Sequence, residues 1–60
     1  MSTVYNPESE LIAEIERLEL EARDLRRRAE HAPTPDDKRV LNRQLGEIED
    51  EIGFLRKRLP

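Results

Sequence analysis

Cysteine and tryptophan do not occur in this 60-residue chain, and Phe, Tyr and His occur once each. Without cysteine, no disulfide or thiolate–metal site can staple the fold, and no thiol nucleophile is available. Glycine occurs twice, with no glycine-rich loop to cradle a phosphate. No apolar run approaches the roughly 18 residues that cross a bilayer, and the acidic N-terminal segment is unlike a secretory signal. The cytoplasm is therefore the expected location, with no membrane contact. At 7.1 kDa the chain holds one small domain at most, too small for a conventional enzyme core with a roofed pocket.

The remaining side chains assemble no catalytic constellation. The one imidazole, His31, is expected at a helix end, interacting with the helix dipole or solvent, far from Ser2 and Ser9. A carboxylate-bridged dimetal bundle needs Glu-x-x-His pairs, and Arg28 stands three residues before His31. No catalytic role, cofactor, metal or small-molecule substrate is expected.

Charge and leucine dominate what is present. Charged residues make up 42% of the chain and hydrophobic ones 35%, with a formal net charge of -3. Two segments open with the same chemistry, Asn6-Pro7-Glu8 and Thr34-Pro35-Asp36-Asp37. Asn and Thr cap the free N–H groups of a first turn, proline suits the first helical position, and acids favour the positive end of the helix dipole. Thr34 and Asp37 have the spacing of a capping box. Ala32-Pro33-Thr34-Pro35 breaks the first helix, because a residue before proline leaves the α region. These signals predict a tail over residues 1–5 and a helical hairpin over 6–60. Within it, helix 1 covers about 7–31, the proline loop 32–34 and helix 2 about 35–58.

The apolar residues repeat in heptads. Leu11, Ile15, Leu18, Ala22, Leu25, Ala29 and Ala32 alternate in steps of four and three, and so do Leu41, Leu45, Ile48, Ile52, Leu55 and Leu59. A short loop makes the two helices antiparallel. The stripes match when Leu11 faces Leu59, Leu18 faces Ile52 and Leu25 faces Leu45, a register in which facing positions add to 70; one near 67 is an alternative. Glu19 and Glu21 then lie uncomfortably near Glu49 and Glu51, with Arg17, Arg23 or a second subunit to relieve them.

The expected fold is all-α: an antiparallel two-helix coiled-coil hairpin. The core seam is Leu11, Ile15, Leu18, Leu25, Leu41, Leu45, Ile48, Ile52, Leu55 and Leu59. A two-helix contact cannot bury all of these, so a homodimer forming a four-helix bundle is expected. This plan resembles that of the plasmid copy-control Rop family, whose members are dimers of helical hairpins of about this length that bind RNA. The resemblance lies in architecture, and no functional position is carried over from it.

Off the seam, Leu20, Val40, Gly46, Gly53 and Phe54 are the candidate surface for a protein partner. On that reading the chain is a non-catalytic adaptor, regulator or inhibitor. The alternative is a dimeric nucleic-acid-binding regulator using Arg23, Arg26, Arg27, Arg28 and Arg39 on phosphates. The net negative charge and the absence of an aromatic beside the arginines make nucleic acid the less expected partner.

Overall fold

The computed structural model describes residues 7–60, which form two antiparallel helices, α1 (Pro7–Glu30) and α2 (Pro35–Arg56). The expected Asn6 cap and the 1–5 tail lie outside the described residues. At 1.5 Å per residue the helices are about 36 and 33 Å long. The molecule is 23 × 11 Å across, two helices wide and one thick, so both sides of the seam face outward.

Local chemistry explains each helix end. Thr34 is extended (φ -134°, ψ 157°), and its Oγ1 accepts from the N–H of Asp37 at 3.1 Å. Its carbonyl accepts the first helical bond, from the N–H of Lys38. Acids lie in both first turns, Glu8 and Glu10 in α1 and Asp36 and Asp37 in α2. Basic residues lie in the last turns, Arg27 and Arg28 in α1 and Arg56 in α2. Each helix thus complements its own dipole.

Both helices stop slightly earlier than expected, at Glu30 and Arg56. The cause is the same at both ends. The N–H groups of His31 and Ala32 donate three residues back, to the carbonyls of Arg28 and Ala29. Those of Arg58 and Leu59 do likewise, to Leu55 and Arg56. The last turns tighten because Ala32 and Leu59 each precede a proline and cannot continue in α conformation.

The core is small. Ile15, Leu18, Ala22, Ile52 and Leu55 form one buried cluster, with Leu11, Leu45, Ile48 and Leu59 packed half-buried against it. Leu25 and Leu41 are also only half-buried. No described side chain is completely removed from solvent.

The register differs from the expected one. Two ion pairs cross the seam, Arg26 to Glu49 at 3.2 Å and Arg56 to Glu19. Facing positions therefore add to about 73–75, not 70. Ala22 shares a cleft with Ile52, not Ile48, and Leu25 shares one with Ile48, not Leu45. The helices have slid by half a heptad, so that a positions face a and d positions face d. The loop gives the slide its room. Ala32 and Thr34 both precede prolines, which keeps the four residues from 31 to 34 from folding back at once, and an extended residue advances roughly 3.3 Å. Helix α2 thus starts beyond the end of α1, and Pro35 to Val40 are all exposed.

Replacing Thr34 by Ala removes the cap and should cost about 0.5–2 kcal/mol of stability, read as a lower midpoint in a circular dichroism melt. Leu18 is only 4% exposed, so Leu18→Glu buries an unpaired carboxylate in the core and should abolish the cooperative melt. A melt like that of the parent chain would remove Leu18 from the core.

Candidate protein interface

The seam has two edges, and they are built differently. With Ile15 and Ile52 at a and Leu18 and Leu55 at d, one edge carries the e residues of both helices and the other the g residues. On the e edge, Glu19 meets Arg56 and Arg26 meets Glu49. These pairs span a cleft of about 370 Å³ floored by Ala22 and Ile52. The clash expected between Glu19 and Glu49 is thereby avoided, because each carboxylate faces an arginine instead.

On the g edge no ion pair crosses the seam among the described residues. The g residues are Glu14, Glu21 and Arg28 in α1 and Gln44, Glu51 and Arg58 in α2, with Glu21 opposite Glu51. Arg17 relieves Glu21 from within α1, at 3.9 Å, as the sequence suggested it could. Glu51 has no ion-pair partner among the described residues. Toward the loop the d residues lie open: Leu25, Ile48, Leu41 and Ala32 are all half-buried. They line two adjoining clefts that share Arg28 and Gln44. The cleft nearer the loop, about 530 Å³, has a mostly apolar lining that includes Ala32, Val40 and Leu41.

The five candidate partner residues do not form one patch. Leu20, Val40 and Phe54 are each more than half exposed. Leu20 is at an f position of α1, facing away from α2. Gly46 and Gly53 occupy the b stripe of α2, and Gly53 borders the e-edge cleft. Val40 and Phe54 occupy the c stripe of α2, on the g side. Neither glycine has a positive φ, and a Cβ on either would meet nothing within 4 Å. Nothing within the hairpin requires glycine there. Ile12 is a further exposed apolar side chain, at an e position.

The arginines do not make a basic face. Successive helical residues point about 100° apart, so Arg26, Arg27 and Arg28 fan around α1. Arg26 faces Glu49, Arg27 and Arg28 both pair with Asp24, and Arg39 lies 3.9 Å from Asp36. Arg23 has no carboxylate partner among the described residues and lines the e-edge cleft. His31 is exposed beside the loop. Among the described residues, no three of His, Asp and Glu gather as metal ligands would. No described helix is long and apolar enough to cross a membrane.

No family model, curated protein or solved structure matches this chain. What the hairpin can do must be read from its own surfaces. The sequence singled out Val40 but missed the trough beside it, where the g residues are Arg28 and Gln44. A cation opposite a neutral amide leaves that stretch of the edge without a bridge.

Alanine at Gly46 or Gly53 should stabilise the isolated hairpin by about 0.5–1 kcal/mol each, through helix propensity alone. A thermal melt reads the gain. A loss of stability would mean that another backbone packs closely against the b stripe.

Proposed function

We propose that this chain is a non-catalytic helical-hairpin protein that acts through protein–protein contact, as an adaptor, regulator or inhibitor. Its first partner is a second copy of itself, and two hairpins pack into a four-helix bundle. The half-burial of the seam supports this reading most directly. Leu11, Leu25, Leu41, Leu45, Ile48 and Leu59 lie on the apolar stripes yet stay half-buried when the hairpin stands alone. Burying apolar side chains is the main favourable term in folding, and short helices draw their stability from packing more than from propensity. A hairpin one helix thick leaves much of that term unused, and a second layer of helices recovers it.

Phosphate binding has weaker support. Four of the five candidate arginines already face a carboxylate, and the cluster presents no common face.

Sedimentation equilibrium of the pure protein tests the self-association. The expected result is a species of twice the 7.1 kDa chain mass that dissociates on dilution. A 7.1 kDa species at every concentration would overturn the reading.

A further inference from the structure

We propose that the two hairpins join through the open g edge, with Phe54 of each copy seated in the loop-end trough of the other. The inference rests on the self-association proposed above and specifies its surface and symmetry.

Three observations carry it. The first is the difference between the edges. The e edge is bridged by Arg26–Glu49 and Glu19–Arg56, whereas the g edge exposes Leu25, Ile48, Leu41 and Ala32 with no bridge across them. The second is spacing. Phe54 is 64% exposed, the only phenylalanine in the chain, and stands on the c stripe of α2 with Val40, which borders the trough. The two lie two heptads apart, about 21 Å along the helix. A two-fold axis crossing α2 midway, at Glu47, carries each residue onto the other. Phe54 of one copy then meets Val40, Leu41 and Ala32 of the second, and the reverse contact forms simultaneously, as an isologous interface requires. The trough, at about 530 Å³, has room for an aromatic ring.

The third observation is charge. The same axis brings Arg58, one turn past Phe54, to the level of Asp36 and so beside Asp37, which borders the trough. Among the described residues, neither Arg58 nor Asp37 has an ion-pair partner in its own chain. It also brings Asp24 of each copy level with Arg28 of the other. Glu51 comes to the level of Gln44 and His31, which have no like charge to oppose it. Glu47 meets its own copy on the axis, and Arg28, which lines the same cleft, lies beside it. A second copy therefore supplies both the ring that fills the trough and the opposite charges for its rim.

Phe54 and Val40 are more than half exposed, so changing them leaves the hairpin core intact. Phe54→Glu and Val40→Glu should each weaken dimerisation at least tenfold in sedimentation equilibrium, while circular dichroism retains the helical spectrum. The chain has no native cysteine, which permits a second test. Mixing Val40→Cys chains with Phe54→Cys chains under mild oxidation should give a mixed covalent dimer, and Phe54→Cys alone should give none. If the parent chain is monomeric, both this inference and the proposed self-association fail. A dimeric parent whose glutamate variants associate unchanged would overturn the g-edge interface alone. Cross-linking by Phe54→Cys alone, or no mixed cross-link in a persisting dimer, would overturn the two-fold arrangement.

Discussion

The register at which the two apolar stripes meet decides which residues are buried, which charges face each other and which edge remains open. The stripes alone do not fix it. Both follow the same four-and-three rhythm, so a slide of half a heptad still brings apolar residues together. What separates the two registers is smaller in energy. The expected one sets Glu19 toward Glu49; the observed one sets Glu19 toward Arg56 and Glu49 toward Arg26. Half-exposed ion pairs of this kind are worth about 0–1 kcal/mol each. That is little against the whole core, yet enough to choose between two apolar packings of similar quality.

The proline loop acts in the same direction. A tight turn would return the chain at once and hold α2 level with the end of α1. Ala32-Pro33-Thr34-Pro35 cannot do this, because the prolines disfavour the α region at the residues before them, and Thr34 is extended. The chain climbs before α2 begins, and the Thr34 cap then starts the helix sharply. Loop geometry and cross-seam charge thus agree on one stagger. Such agreement between local and tertiary preferences is what gives a short sequence a single structure.

Much of this was legible in the residues themselves. The helix starts followed from proline and acid placement, and the Thr34–Asp37 bond lies where the capping signal put it. The stripes named the buried set, since Ile15, Leu18, Ile52 and Leu55 all belong to them. The half-heptad slide was not read, for a definite reason. Matching apolar positions alone gives several registers that fit, and only the charges beside the seam tell them apart. The prolines were read as helix breakers, which they are, but their effect on the height of the loop was missed. The candidate interface residues scatter because exposure of a single residue does not say which stripe it shares. Leu20, Gly53 and Phe54 are all open to solvent or a cleft, yet they occupy different stripes and cannot meet one flat partner together.

The contents of the stripes explain why one edge closes. Helix α1 places Ala22 and Ala29 at a positions, where they are 4% exposed, and Leu18 and Leu25 at d. After Ile15, the a row of α1 is small and its d row large, down to Leu25. The helices can approach closely on the a and e side, near enough for Arg26 and Arg56 to reach across to carboxylates. On the d and g side Leu25, Ile48 and Leu41 stay half-covered toward the loop. Larger residues at Ala22 and Ala29 would hold the helices apart and weaken the bridges together. The alanines and the arginines beside them thus act together along the bridged edge, and among the described residues no matching bridge covers the leucines along the other.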